Sequence, residues 1–353
     1  MAVRRLLILA MLASVLAACG SADSPPASGA RDGVTVRLVT HDSFSASQSV
    51  LDEFRERTGI AIEVVPSGDA GELVNKSALT AGDPLGDVLF GVDNTFLSRA
   101  LDADLFIPYE SPELSAIPDD LELDPRHRVT PVDFGEVCVN YDREAYSDPA
   151  QQPPSRLEDL TEPAYRDQLV VENPATSSPG LAFLLATVER FGPEGWEDYW
   201  TGLKENGVQI VAGWEEAYNG AFSGGAGTGT RPLVVSYASS PPAEVQFSEA
   251  PIDEPTTAVM EDGCFRQVEF AGILRGTERA EQAQAVIDFL LSEEFQADLP
   301  LNMFVFPARE KTPLPEVFER FAARPAESLS MEPERIEAGR EDWLNRWTEL
   351  MLG

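Results

Sequence analysis

The sequence predicts an α/β protein built as two hinged halves, each a sheet flanked by helices. Three observations carry this. A β-α-β-α-β order runs from Val34 to Asn94, the same pattern restarts after residue 150, and two extended stretches, near 132–140 and 258–268, cross between the halves. The chain has 353 residues, 43% of them hydrophobic, which suits one large or two medium domains with a proper core. The expected division is 34–134 plus 265–312 for the first lobe, 135–264 for the second, and 313–353 as C-terminal helices packed on the lobes.

The elements follow in order. Val34–Thr40 reads as a strand that ends in His41-Asp-Ser-Phe44, and a helix follows over Ser47–Arg57, stopped by Gly59. Ile60–Val65 is the next strand. The loop Pro66-Ser-Gly-Asp-Ala70 leads into a helix over Gly71–Thr80, broken by Gly82, Pro84 and Gly86. Asp87–Val92 is the third strand, ending in Asp93-Asn94. This order implies a parallel, doubly wound sheet, whose ligand edge carries His41–Phe44, Asp69 and Asp93–Asn94.

A long strand spans Val129–Tyr141. The second half begins with the strand Leu169–Glu172 and a helix from Ser177-Ser-Pro-Gly180 to Phe191, with another helix within Gly195–Glu205. Two apolar runs, Val208–Ala212 and Pro232–Val235, each lead into an aromatic segment, Gly213-Trp-Glu-Glu-Ala-Tyr218 and Ser236-Tyr-Ala-Ser-Ser-Pro241. The intervening Gly220–Thr230 is glycine-rich, but it lacks the Lys-Ser/Thr ending of a phosphate loop and follows a helix, so it reads as a helix-to-strand turn. Thr256–Leu274 returns as strands, Glu278–Leu291 as an amphipathic helix, and Asn302–Pro307 as a short extended piece. Helices over Leu314–Ala322 and Pro333–Leu350 close the chain; Trp343 and Trp347, four apart, share a face as packing anchors.

The N-terminus carries an address. Arg4-Arg5 precede an apolar run from Leu6 to Leu16, too short to span a membrane comfortably, and then Leu16-Ala-Ala-Cys-Gly20. Residues 1–18 read as a signal peptide. The cleavage-site pattern resembles the lipobox of bacterial lipoproteins, which makes Cys19 the lipidated first residue of the mature chain. Residues 19–33 then form a lipid anchor and a tether without large apolar residues, with a mean reach of about 20 Å. The expected location is the outer face of the cell membrane.

Sixty acidic against 26 basic residues give a formal charge of -34, which argues against nucleic acid and is compatible with a cationic ligand. In an exported chain, Cys138 and Cys264 read as a disulfide pair on the two crossings. The two histidines, His41 and His127, lie far apart, and no cluster has metal-ligand spacing.

Trp214 and Tyr237 are placed at the carboxyl ends of neighbouring strands, where open α/β sheets bind ligands. Aromatic faces beside carboxylates suit a flat organic cation, since a cation over a ring gains roughly 0.5–2 kcal/mol.

At this point the residues resemble a known family, the thiamine-binding solute-binding proteins of ABC importers. The similarity runs from Val34 to Trp347 and rests on Asp42-Ser-Phe44, Gly91-Val-Asp-Asn94, Thr176–Leu181, Gly213–Tyr218, Ser236–Pro241 and Phe306-Pro307. It implies a periplasmic-binding-protein fold of the two-crossing-strand kind (type II), with thiamine or its phosphate esters held in a cleft. By position it points to Asp69, Ser177, Ser178, Trp214, Tyr237, Ala238, Ser239, Ser240 and Pro241, with further cleft positions at His41 and Phe304. The chain departs from the family's pattern where it has His41 for a tyrosine, Phe304 for a tryptophan, Gln48 for a tryptophan, Ala243 for a tyrosine and Ala70 for a glycine. Its aromatic cage is correspondingly thinner.

In this reading Trp214, Tyr237 and Phe304 supply π-faces, and Asp69 balances the thiazolium charge or accepts from the aminopyrimidine. Ser177 and Ser178 cap a helix whose N-terminus could hold a phosphate. The partners are the small ligand, the transmembrane permease subunits and, through the lipid, the membrane; no cofactor is expected, and the chain is expected to act as a monomer. Polyamine or iron(III) binding on the same fold is the alternative, although there is no adjacent tyrosine pair of the kind iron binders present. An enzyme is disfavoured because no Gly-x-Ser-x-Gly elbow is present.

Overall fold

The computed structural model describes residues 33–353. The expected signal peptide, Cys19 and all but the last residue of the expected tether lie outside the described residues. Val34–Gly353 packs as one compact unit.

Its frame is a single ten-stranded sheet, with the order β2-β1-β3-β9-β5-β8-β6-β7 along the main path. On one flank, β1 (Val34–Thr40) lies between β2 (Ile60–Pro66) and β3 (Val88–Asp93), parallel to both. On the other, β6 (Leu169–Glu172) lies between β7 (Gln209–Val211) and β8 (Leu233–Tyr237), again parallel to both. Between the flanks run the two long strands β5 (Thr130–Asp142) and β9 (Thr257–Leu274), which pair antiparallel with each other from Thr130↔Ala271 to Asp142↔Thr257. β9 also pairs with β3, and β5 with β8, both antiparallel. The expected crossings are therefore joined along their length, and the two halves share one hydrogen-bonded sheet.

Helices on the sheet faces bury the apolar strands. α1 (Gln48–Thr58) ends at Gly59, whose left-handed φ of 75° lets its N–H close onto Arg55. α2 (Ala70–Leu79) starts at Asp69, whose carboxylate accepts from Ala70 N at 2.6 Å. α3 (Leu97–Asp102) and the two-residue β4 (Phe106–Ile107) follow β3. The two helices expected over 177–205 form one element, α4 (Ser178–Glu205), interrupted at Gly192 (φ 71°, ψ 178°) just before Pro193. α5 (Pro242–Phe247), α6 (Ala280–Leu290), α7 (Glu293–Asn302), α8 (Glu316–Phe321) and α9 (Pro333–Leu352) complete the set. Asn302–Pro307 is less extended than expected. Asn302 still belongs to α7, and only Phe306–Pro307 pairs with β5, as β10.

Cys138 on β5 and Cys264 on β9 are joined by a disulfide with their Cα atoms 4.3 Å apart. Closing a loop of more than a hundred residues restricts the unfolded chain by about 5 kcal/mol in the chain-entropy account. On α9, Trp347 is fully buried and meets Trp200 of α4 edge to face at 5.4 Å, which fixes the C-terminal helix to the second flank. The Gly220–Thr230 turn spends its N–H groups internally, Gly227 on Gly224 O and Gly229 on Phe222 O. No described helix is long and apolar enough to cross a membrane.

Candidate ligand-binding cleft

The carboxyl ends of five strands, β1, β2, β6, β7 and β8, converge on one cavity of about 300 Å³. β1 delivers His41, and the loop after β2 delivers Asp69. The crossing strands contribute Asp133, Gln267 and Glu269. The second flank contributes Ser178, Trp214, Tyr218, Tyr237 and Ser240, while Phe304 follows α7. Parallel strands place their loops at one edge, and the cavity lies at that edge of both flanks.

Trp214 is held from three sides. Its backbone N–H donates to Asp69 Oδ2 at 2.9 Å, its indole Nε1–H donates to Ser236 Oγ at 2.9 Å, and its ring stacks on Tyr218 at 5.0 Å and 15°. Tyr218 is four residues on, carried by the π-helical turn Glu216–Ala221. Tyr237 stands edge-on to Trp214 at 6.5 Å and 61°. A preorganised ring of this kind loses little entropy when a flat ligand lies against it.

Asp69 does more than balance charge. It accepts from Ala70 N, Trp214 N and Ser178 N (3.4 Å to Oδ1), so one carboxylate joins the starts of α2 and α4 to the turn after β7. A Cβ at Gly213 would lie 2.8 Å from Asp69 Oδ2, and only glycine allows that approach. Burial raises the Asp69 pKa above its ordinary value, opposed by the N–H groups of Trp214 and Ala70.

The serine pair differs from expectation. Ser177 occupies the N-cap position of α4, but its side chain makes no capping bond and is buried without a partner. Ser178 is the first helical residue; its hydroxyl donates to Asp93 Oδ2 and accepts from Gln267 Nε2 at 2.7 Å. Asp93, fully buried, also accepts from Thr95 and Phe96 N, so it is a structural knot between β3, α4 and β9. The helix terminus expected to hold a phosphate already faces the Asp69 carboxylate.

His41 packs against Phe90 at 5.7 Å, and its Nε2 lies 3.4 Å from Glu269 Oε1. Gly91 makes room for it: at φ 111° a Cβ there would meet His41 Cδ2 at 2.7 Å. Burial works to lower the basicity of the ring, but Glu269, then Asp69 and Asp42, outweigh it and hold the imidazole pKa above its ordinary value. At the mouth, Phe304 adopts φ 55°, rare for a bulky residue, and meets Phe247 of α5 edge to face at 5.7 Å.

Seven of the expected positions line the cavity: His41, Asp69, Ser178, Trp214, Tyr237, Ser240 and Phe304. Four do not. Ser177 and Ser239 are fully buried, each with an unpartnered hydroxyl, and Ala238 packs in the cluster around the Cys138–Cys264 bridge. Pro241 lines a separate surface groove beside Arg143 and Glu254. A run of five residues leaving a strand turns its side chains to different sides, so only some can face one ligand. Sequence reasoning did not single out Asp133, Gln267, Glu269, Tyr218 and Phe247. The available signal was a lone carboxylate inside each of two strand-like runs, Pro131–Phe134 and Val268–Phe270.

Comparison with known proteins places this geometry. The model of the bacterial extracellular solute-binding proteins matches residues 83–323. The chain belongs to that family. It is 28% identical over 318 residues to the thiamine-binding periplasmic protein of Salmonella typhimurium strain LT2, covering 88% of this chain and 91% of that one. Identity to the Escherichia coli K12 protein of the same name is also 28%, over 315 residues. A solved periplasmic thiamin binding protein superposes with a TM-score of 0.78 at 25% identity, covering 92% of this chain and 98% of that one. The iron uptake protein A1 of a Synechocystis strain is 23% identical over 335 residues, 90% of this chain and 88% of that one. The fold is therefore that of the periplasmic binding proteins, and the chain is an extracytoplasmic solute-binding protein rather than a member of an enzyme family.

Proposed function

We propose that this solute-binding protein captures thiamine in the cleft and delivers it to the transmembrane subunits of an ABC permease, anchored to the membrane by lipid on Cys19. The observation that carries the reading is the make-up of the cavity. Trp214, Tyr218, Tyr237, Phe247 and Phe304 offer aromatic surface, and the same lining holds the carboxyls of Asp69, Asp133, Glu215 and Glu269. Among the described lining residues there is no Lys or Arg. A flat ring bearing one delocalised positive charge meets both requirements. The names of the relatives above support the same ligand.

Within this reading the ligand is thiamine itself more than its phosphate esters. A phosphate would meet Asp69 at the α4 terminus and find no cationic side chain along the lining. Ligand release and capture would follow from hinging of 34–134 plus 265–312 against 135–264 about β5 and β9. Iron(III) is less suited: among the described residues no group of three or more His, Cys, Asp or Glu is placed to hold a metal ion. A polyamine would use the same carboxyls, but it would leave the aromatic surface largely unused.

Calorimetric titration tests this, using protein lacking residues 1–19. The expected result is one-to-one binding of thiamine at micromolar affinity or tighter, with thiamine monophosphate at least about tenfold weaker, the cost of one uncompensated charge pair in a partly screened site. Spermidine or ferric iron binding with thiamine silent would overturn the assignment.

A further inference from the structure

The floor of the cleft holds a feature that thiamine recognition by aromatic stacking does not use. Asp133 on β5 and Glu269 on β9 are direct register partners. Both line the cavity, at 2% and 7% exposure. Asp133 Oδ2 is enclosed and accepts no hydrogen bond from the N–H and O–H groups around it, so Glu269 is its one polar neighbour. Side chains directly opposite on paired strands stand about 4.5–5.5 Å apart at Cβ, and two buried carboxylates at that range do not both ionise.

The surrounding charges decide which one keeps the proton. His41 faces the pair from the end of β1, with Asp42 behind it. Asp69 faces it from the start of α2, Asp93 from the end of β3, and Tyr237 from the end of β8. Arg266 is already engaged by Glu136 at 2.6 Å. His41 is the one base among the facing groups, and it lies against Glu269. Asp133 is left without a counter-charge. Burial, then the charge of Glu269 and the hydrogen bond that a protonated Asp133 can donate to it, pushes its carboxyl pKa well above the ordinary value.

We propose that the Asp133–Glu269 pair is a cation subsite: Asp133 holds a proton while the cleft is empty and gives it up to solvent when the positive group of an organic cation takes its place. One cation enters and up to one proton leaves, so charge balances and no other reactant is needed. The inference rests on the reading of the cleft as a site for an organic cation, and thiamine serves as the probe. Because proton and ligand compete for Asp133, affinity rises with pH until Asp133 is ionised in the empty protein.

The test is titration of the full chain in mild detergent with thiamine, in buffers of different ionisation enthalpy between pH 6 and 8. The expected heat depends on the buffer, with about 0.3–1 proton released per ligand. Asp133→Asn is expected to abolish that release, flatten the pH dependence and weaken binding about tenfold. Buffer-independent heat in the unaltered protein, or undiminished proton release from Asp133→Asn, overturns the proposal.

A ligand-free measurement separates its failure from failure of the thiamine reading. A carboxyl raised in the folded state contributes stability at low pH that is lost as pH climbs above the ordinary carboxylate range. The unaltered protein is thus expected to lose Tm between pH 5 and 8, by a few degrees more than Asp133→Asn. If thiamine does not bind at all, this difference alone decides, and equal slopes overturn the subsite.

Discussion

On one flank of the sheet, β2, β1 and β3 lead into Asp69, His41 and Asp93; on the other, β7, β6 and β8 lead into Trp214, the Ser177–Ser178 turn and Tyr237. The strand plan is the same on both: a central strand parallel to two neighbours, then an antiparallel crossing strand. The chemistry at the strand ends differs. The first flank presents charge and the second presents aromatic surface, so neither alone is a site for a flat cation. The crossing strands supply what both flanks lack, a carboxyl pair at the floor. The topology fixes where a ligand sits, while the residues at the strand ends fix what it is.

The largest expected effect comes from breaking the aromatic flank. Trp214→Ala removes the ring that Tyr218, Ser236 and Asp69 hold in place, and it should weaken thiamine binding roughly 100-fold, the scale of losing a desolvated aromatic–cation contact. Calorimetry reads it, and a change under about threefold would mean that the ligand lies elsewhere.

Breaking the charged flank comes next. Asp69→Asn removes the negative charge and keeps one acceptor oxygen, enough for the Ala70 and Ser178 N–H groups that share Oδ1, while its amide NH2 would face the Trp214 N–H that Oδ2 now accepts. Affinity should fall roughly 10- to 30-fold, and Tm should drop by a few degrees as weaker caps are left at two helix starts. Loss of Tm without loss of affinity would make Asp69 a purely structural cap.

A smaller effect tests whether the flanks meet at the mouth. Phe247 is 67% exposed on α5 and touches Phe304 across the opening. Phe247→Ala should speed ligand release about fivefold and leave the association rate nearly unchanged, as stopped-flow tryptophan fluorescence would show. Slowed association instead would identify an entry role.

The smallest effect lies behind the site. Glu172, at the end of β6, is fully buried with both carboxyl oxygens unpartnered, and burial pushes its pKa well above the ordinary value. Its contribution to stability is present at low pH and is lost as pH rises above the ordinary carboxylate range. Glu172→Gln should therefore gain about 1 kcal/mol at pH 8 and nothing near pH 4 in denaturant melts, with ligand affinity unchanged. An equal gain at both pH values would assign the effect to packing.

Much of the fold was legible. The β-α-β order of residues 34–94, the restart after residue 150 and the two crossings needed only periodicity and helix stops such as Gly59. Trp214, Tyr237 and His41 stood out because they come just past an apolar run, at a strand end, whereas Phe304, which follows α7, was reached only through the family resemblance. Ser177, Ala238, Ser239 and Pro241 came along as neighbours in quoted segments, and their side chains turn into the core or to another surface. Asp133 and Glu269 were hidden for the opposite reason. Each is one carboxyl in an apolar run, and their meeting depends on the register of two strands far apart in sequence.

What the sequence by itself determined was the kind of protein: alternating strands and helices, a cysteine pair on two crossings, and aromatic residues at strand ends. These are local patterns, written within a few residues of each other. The tertiary structure alone decided which side chains share the cavity, that the Asp69 carboxylate faces the α4 terminus, and that Asp133 faces Glu269 with no counter-charge. Those outcomes depend on register, burial and the charges brought from other strands, and an energy that depends on distance between remote residues leaves no mark on either one alone.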